Sequence, residues 1–239
     1  MTESAVYLQP AFILQSRKYR ETSLIIDALT RDFGRISLLA KGVRKAKSKT
    51  AGLLQPFIPL TLSFFGKAEL KTLTDVETSH AFNEIKGLTL YCGFYINELV
   101  ACFLHKYDPH PEVFDYYHEC LSDLADGSSM EAALRLFELR LLECSGYGLQ
   151  LSHDDHNNPV EALKKYDFNV GQGPVDVVGG QFSGRTFQAL SSRELTDPQV
   201  LSEAKILMRR VIDVYLQGRQ LKSRAVINKV FAIAQRLEK

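Results

Sequence analysis

No stretch of this 239-residue sequence approaches the roughly 18 consecutive apolar residues that a membrane-spanning helix needs. No charged segment leads into an apolar run at the start, so no secretory signal is expected either. Cysteine is scarce: Cys92, Cys102, Cys120 and Cys144 lie far apart, and no CxxC occurs. Such thiols read as reduced and buried, which fits a cytosolic location. Motifs for catalysis are missing too. There is no GxxxxGK[ST] for nucleotide phosphates. Gly171-Gln172-Gly173 runs into Pro174, and Gly179, Gly180 and Gly184 flank Ser183 without the GxSxG of a nucleophile elbow. His80, His105, His110 and His118 show neither HxxxH nor HxxE spacing. These absences lean away from an enzyme.

A strong overall charge is also lacking, at +1, but that figure conceals segregation. Residues 1–80 hold 12 Lys+Arg against 7 Asp+Glu, residues 81–204 hold 8 against 19, and residues 205–239 hold 9 against 2. Basic ends around an acidic middle suggest polyanion contact at the ends. With 45% hydrophobic residues the chain can fill a core.

Residues 1–80 read as strands. Val6–Gln15 is mixed, Ser23–Leu29 and Arg35–Ala40 are short and β-rich, and Asp32-Phe33-Gly34 between them suits a hairpin turn. Phe57–Phe65 and Leu70–Val76 form a second pair around Gly66-Lys67. Five such strands with a long loop after the third suit a small barrel. Beyond residue 80 the period becomes helical, with Leu88, Tyr91, Tyr95, Leu99, Cys102 and Phe103 on one face of residues 88–107. Ser128-Ser129-Met130-Glu131 reads as a capping box for a helix through Leu142, ended by Gly146. Residues 147–182 are rich in Gly, Asn and Asp and read as irregular. Asp197-Pro198 opens a helix to about Gln217, stopped at Gly218. A last helix carries Ile227, Val230, Phe231, Ala234 and Leu237 on one face.

The most informative segment is Lys41 to Lys49, where Lys41, Arg44, Lys45, Lys47 and Lys49 occur without a carboxylate. Glycine and small polar residues disfavour a helix there, and a flexible cationic loop can follow an irregular phosphate backbone. Arg17, Lys18, Arg20, Arg31 and Arg35 add charge on neighbouring strands, and Tyr19 and Phe33 are candidates for base stacking. The plainer alternatives are a solvated loop and core aromatics. His153-Asp154-Asp155-His156 contains metal-binding side chains, but four adjacent loop residues cannot all face one ion, so a polar surface loop is the better reading.

Phe12-Ile13-Leu14 followed by Tyr19-Arg20-Glu21-Thr22-Ser23 resembles the opening strand and turn of the RecO family of bacterial recombination mediators. Leu29 to Ser37 resembles L-T-x-x-x-G-[KR]-x-[ST], and Ala40 to Arg44 resembles A-[KR]-G-[AV]-[KR]. Leu54-Gln55-Pro56-Phe57, then Leu73, Thr74 and Glu77, continue the match. Tyr95 to Leu99 is similar to Y-x-x-E-L, and Arg135 to Leu142 with Gly146-Tyr147 also fits. Leu216 to Arg224 resembles L-G-x-x-x-L-[KR]-S-R. The matches fall in order along nearly the whole chain.

The resemblance implies an α+β, multidomain protein. An N-terminal five-stranded OB-fold β-barrel would occupy residues 1–80, followed by a mainly helical C-terminal domain over 81–239. It implies ATP-independent annealing and loading of the RecA recombinase onto strands coated by single-stranded-DNA-binding protein, usually with RecR. Many relatives carry two CxxC pairs in the region equivalent to 150–180; this chain has none there, so no zinc and no other cofactor is expected. Apolar anchors Leu149, Leu151, Phe168, Val170, Val175 and Val177 would hold that region instead. The expected contacts with single- and double-stranded DNA are Arg17, Lys18, Arg20, Arg35, Lys41, Arg44, Lys45, Lys47 and Lys49. A docking site for the acidic tail of single-stranded-DNA-binding protein would use Arg209, Arg210, Arg219, Lys222 and Arg224. The protein would be a nucleoid-associated monomer that binds no membrane and catalyses nothing. The competing readings are an OB-fold RNA-binding module, a metal-dependent hydrolase built on His153, Asp155 and His156, and an adaptor with no nucleic-acid role.

Overall fold

The computed structural model describes residues 5–45, 48, 50–78, 83–127, 129–227 and 229. Strands β1 (Ala5–Tyr19), β2 (Ser23–Thr30), β3 (Gly34–Ala40), β4 (Leu60–Phe65) and β5 (Leu70–Thr78) close into a barrel in the order β1-β2-β3-β5-β4. All neighbours are antiparallel except β3 and β5, which run parallel. The interior is set by period-two alternation. Ile26 and Ala28, then Ile36, Leu38 and Ala40, then Leu60, Leu62 and Phe64 point inward and are buried. β1 breaks the alternation because it is buried on both sides. Ala11 and Ile13 face the barrel interior, while Phe12 and Leu14 join the core of the helical half. That double burial is why its sequence reads as mixed.

The helical half is built from α1 (Leu88–Phe103), α2 (Pro111–Asp126), α3 (Met130–Cys144), α4 (Gly184–Ser192) and α5 (Pro198–Tyr215). α2 is an addition to what the sequence suggested. Val113, Phe114, Tyr117, Cys120, Leu121 and Leu124 bury one stripe at helical spacing, Pro111 starts it, and Gly127 ends it in a left-handed conformation. α3 begins one residue later than the capping-box reading: Ser129 is the N-cap and accepts the Ala132 N–H, while Glu131 pairs with Lys205 and Arg135 instead of reaching back. Asp197 caps α5 as its sequence suggests, accepting the N–H groups of Gln199 and Val200. α5 ends at Tyr215, with turns through Gly218. Residues 222–227 are helical, but Val230, Phe231, Ala234 and Leu237 lie outside the described residues.

Residues 147–182 are more ordered than their composition suggests. β6 (Lys165–Asn169), β7 (Gly173–Asp176) and β8 (Phe182–Ser183) form a three-stranded sheet in the order β7-β6-β8. Its aromatics Tyr166, Phe168 and Phe182 surround Phe187 of α4, with ring centroids 5.8 to 6.1 Å apart. Of the expected anchors, Leu151 and Phe168 are buried, Leu149 and Val170 pack partly against the core, and Val177 is exposed. Cys92 and Cys120 are buried thiols, whereas Cys102 and Cys144 are only partly covered. Among the described residues no helix is long and apolar enough to cross a membrane.

The two halves share a polar seam as well as a core. Phe12 packs against Phe114 and Tyr117 at 5.3 and 5.0 Å, and Asn97 donates to the Leu14 carbonyl at 2.7 Å. Gly93 lets α1 approach the barrel, since a Cβ there would lie 2.8 Å from the Phe57 ring.

Candidate nucleic-acid interface

β1 ends in Arg17, Lys18 and Tyr19, and the chain reverses through Arg20, Glu21 and Thr22 into β2. β2 pairs Leu24 with Ala40 at the end of β3, so Lys41 and Arg44 emerge beside the β1–β2 turn. Two hydrogen bonds fix that neighbourhood: the Arg44 N–H donates to the Thr22 carbonyl at 2.9 Å, and its guanidinium donates to the Arg20 carbonyl at 3.3 Å. Arg17, Lys18, Arg20, Lys41, Arg44 and Lys45 are all exposed. None of the six forms a salt bridge among the described residues. Arg20 has a left-handed backbone, and its guanidinium lies 5.3 Å from the Tyr19 ring. Lys47 and Lys49 lie outside the described residues.

Val43 and Leu54 are buried among the barrel residues. The Lys45 N–H donates to the Gly42 carbonyl and the Ser48 N–H to the Lys45 carbonyl. Lys41, Arg44 and Lys45 are thus exposed cations beside a hydrogen-bonded turn.

Arg35 must be withdrawn from the surface set. It is 8% exposed, at the far end of β3. Its guanidinium donates to Asp27 at 2.8 Å and to the Ala101 and Leu104 carbonyls at 2.8 Å each. Those carbonyls belong to the C-terminal end of α1, where a cation satisfies orphan acceptors and the helix dipole together. Arg35 is therefore a tie between the halves and unavailable to phosphate. Arg31 pairs with Asp115 of α2 at 3.0 Å. Phe33 lies edge-on to Phe64, at the barrel end opposite the basic turn, so the basic segment and this stacking candidate are not brought together. Tyr19 does sit with the cations.

Sequence reasoning missed Lys67, Lys71, Lys106 and Tyr107. A groove on the outer face of β1, β2 and β3 is lined by Gln15, Ser16, Arg17, Ile25, Asp27, Arg35, Ser37 and Lys106. Lys67, Ala68, Glu69, Lys71 and Tyr107 extend it past Lys106. No local signal could have placed Lys106 there, because it comes from the segment joining α1 to α2.

A second cationic region lies on the helices. An apolar pocket is lined by Cys92, Tyr95, Met130, Leu134 and Ile227, with Lys205, Arg209 and Arg224 at its edge and Arg135, Glu131 and Glu138 completing it. Arg135 and Glu138 are buried and paired at 2.6 Å, and the Tyr95 hydroxyl donates to Glu138 at 2.6 Å. Burial, with Glu138 alongside, raises the Tyr95 hydroxyl far above the usual tyrosine range. The five expected docking residues separate here. Arg209 and Arg224 line the pocket. Arg210 faces Gln181 and lies over Phe182, in a shallow strip with exposed Ile206 and Val214. Arg219 and Lys222 flank Glu98, which accepts from the Lys222 N–H at 3.0 Å and from the Ser223 N–H and hydroxyl at 2.9 and 2.6 Å. Burial opposes ionisation of Glu98, but these hydrogen bonds outweigh it and hold the carboxyl below its ordinary value. A helix start disfavours cations, and here the Glu98 carboxylate of α1 stands beside Arg219 and Lys222.

Asp154, Asp155 and His156 bring possible metal ligands together. The Asp154 carboxylate already accepts from the His156 N–H at 3.0 Å and from the Asn158 N–H at 2.7 Å, forming the turn itself. His153 instead bridges to Pro159 through its backbone.

Two family models cover most of the chain: Recombination protein O N terminal over residues 1–82 and Recombination protein O C terminal over residues 86–225. The DNA repair protein RecO of Dechloromonas aromatica (strain RCB) is 39% identical over 235 residues, covering 95% of this chain and 97% of that one. That of Methylococcus capsulatus (strain Bath) is 42% identical over 224 residues, covering 92% and 93%. That of Nitrosococcus oceani is 39% identical over 231 residues, covering 94% of each. Similarity of this extent, spanning both the barrel and the helical half, places the chain in one family: it belongs to the recombination protein O, or RecO, family.

Proposed function

We propose that this protein is a DNA repair mediator that binds single-stranded DNA at the barrel end. It anneals complementary strands without ATP and assists loading of the RecA recombinase onto strands coated by single-stranded-DNA-binding protein, together with RecR. The observation that carries the reading is the set of six exposed cations around the β1–β2 turn and the Lys41–Lys45 segment, on a RecO-family barrel. Lysine and arginine side chains with no salt bridge are available to replace the counterions of a phosphate backbone. Annealing then requires no chemistry. Two strands lose mutual repulsion while their bases stay open to pairing. The same cations can hold double-stranded DNA, through its phosphates. This is binding rather than catalysis, and it belongs to the nucleoid in the cytoplasm.

The partner contact on the helices is the pocket between α1, α3 and α5. An acidic peptide ending in apolar residues, the chemistry of the tail on single-stranded-DNA-binding protein, suits an apolar floor rimmed by Lys205, Arg209 and Arg224. Rim charges speed encounter, and the buried anchor sets the lifetime. Arg219 and Lys222 stand at the Glu98 clasp and would act only at long range.

An annealing assay with bare and coated strands tests the reading. The protein should accelerate annealing of both, and Lys41→Ala/Arg44→Ala/Lys45→Ala should slow both while flattening the log–log salt dependence of strand binding by about 2, at about 0.7 per phosphate. Lys205→Glu/Arg209→Glu should abolish only the coated-strand reaction and weaken a labelled tail peptide by more than about tenfold, roughly 1.4 kcal/mol. Equal or tighter binding to RNA in competition would overturn the DNA assignment.

A further inference from the structure

We propose that the segment joining α1 to α2, through Lys106 and Tyr107, forms the far wall of a single-strand path that continues from the basic barrel end across the β1–β2–β3 face. The proposal rests on the barrel-end reading above and extends it to residues of the helical half.

The barrel seam is where the segment acts. β3 pairs with β5 only through Ser37, Leu38 and Leu39. Ahead of them, Arg35 is bridged in parallel to Lys106, and the Tyr107 N–H donates to the Arg35 carbonyl at 2.9 Å. The segment thus adds an edge to the sheet before β5 joins it. Gly34 permits the approach: a Cβ at that position would lie 2.1 Å from the Asp108 carbonyl oxygen.

Tyr107 is held in an unusual way. Its backbone is left-handed at φ 61°, a conformation that bulky residues avoid. Its hydroxyl donates to the Glu69 carbonyl, and the Lys71 ammonium lies 5.3 Å from its ring. A strained backbone fixed by three contacts presents a partly exposed aromatic ring beside two lysines. That is the combination of stacking surface and cation that binds single strands without regard to sequence.

The charges complete the path. Arg17 belongs to the barrel-end cations and also lines the groove, and Lys106 lines both the groove and its extension toward Lys67 and Lys71. The carboxylates nearby are answered: Asp27 by Arg35 at 2.8 Å and Glu69 by Lys106 at 3.0 Å. From Arg35 to Lys41 the floor follows six steps of β3, about 20 Å at roughly 3.3 Å per residue. A strand laid along it would have its phosphates near Arg17 at one end and Lys71 at the other, with bases toward Ile25, Ser37 and Tyr107.

Photo-cross-linking of the full chain tests the path directly. Oligonucleotides carrying 5-iodouracil at successive positions should cross-link to Tyr107 from one end and near Tyr19 from the other. Cross-links confined to the barrel end, with none on residues 104–108, overturn the proposal. As a second measurement, Lys71→Gln/Lys106→Gln should weaken strand binding at least about threefold at low salt and flatten the salt slope by at least about 0.7, the share of Lys71 alone since Lys106 is paired with Glu69, leaving tail-peptide binding unchanged. If Lys41→Ala/Lys45→Ala flattens the slope and Lys71→Gln/Lys106→Gln does not, this path is wrong while the barrel-end reading stands. If neither pair alters binding, both fall.

Discussion

The barrel end and the helical pocket are both rich in arginine and lysine, yet their cations do opposite physical work. At the barrel end the side chains are exposed, and none of the six forms a salt bridge among the described residues. In and around the pocket, Arg135 is matched by Glu138, Arg224 by Asp213 and Lys205 by Glu131. Removing a cation from the first region leaves nothing stranded. Removing one from the second leaves a carboxylate without its partner, some of them out of water. Charge at the barrel end is thus disposable for folding and available for a ligand. Charge on the helices is largely committed to the fold, and of the pocket's three rim cations only Arg209 forms no salt bridge among the described residues. Arg35 sits in the first region by sequence and in the second by physics.

The sharpest way to break this comparison is Arg35→Ala. It strands buried Asp27 and the α1 carbonyls, so urea unfolding should show a loss of about 3–5 kcal/mol. A loss under about 1 kcal/mol would mean that Arg35 behaves like a barrel-end cation after all. A smaller effect is expected at Glu203, which accepts from the Ser183 N–H at 2.6 Å and from the Ser183 and Thr186 hydroxyls at 2.7 Å each. Burial works against its charge, but these bonds and Lys165 bring the carboxyl down to about 2. Its folded value lies below its unfolded one, so the stabilisation is present in full above the unfolded value of about 4.3 and is lost as pH falls toward about 2. Solvent screening reduces that contribution to about 1–2 kcal/mol, and Glu203→Gln should remove this part of the acid dependence between about pH 4.5 and 2. A variant whose stability still falls as steeply as the parent's over that range would refute the assignment.

Glu98→Ala is expected to cost about 1 kcal/mol, the usual worth of a cap. Its effect should be local, seen as faster amide exchange in residues 222–227. Uniformly faster exchange across α1 would show that Glu98 supports more than the clasp. The smallest effect on folding belongs to Lys41→Ala/Lys45→Ala, within about 0.5 kcal/mol. A larger loss would place these lysines with the committed charges.

Much of the barrel was legible because its strands are short apolar runs separated by turn residues, and the interior alternates in Ile36, Leu38 and Ala40 and in Leu60, Leu62 and Phe64. α2 was harder to see because its buried stripe is interleaved with Glu112, Asp115, Glu119 and Asp123, although Pro111 and Gly127 mark both of its ends. The sheet β7-β6-β8 hides in a segment of Gly, Asn and Asp, because its order comes from Phe187, a residue beyond that segment. For the candidate interface, charge density pointed to Lys41, Arg44 and Lys45. It could not tell exposed Arg44 from buried Arg35, since both are arginines beside β-rich runs. The difference is made by Ala101 and Leu104, more than sixty residues away. Lys106 was hidden for the same reason.

The tie made by Arg35 bears on how far this protein can be taken apart. Its sequence divides cleanly into two family patterns, but the molecule does not divide at the same place. A fragment ending near residue 80 would lack the two carbonyls that Arg35 reaches and would expose Phe12, Leu14 and Leu29 to water. A fragment beginning near residue 85 would leave Asn97 without the Leu14 carbonyl. Each half is a template for part of the other's surface. Exchange between relatives should therefore succeed when the Phe12–Phe114 and Arg35–Leu104 contacts travel together, and fail when the cut falls between them, however well the two sequence patterns are respected.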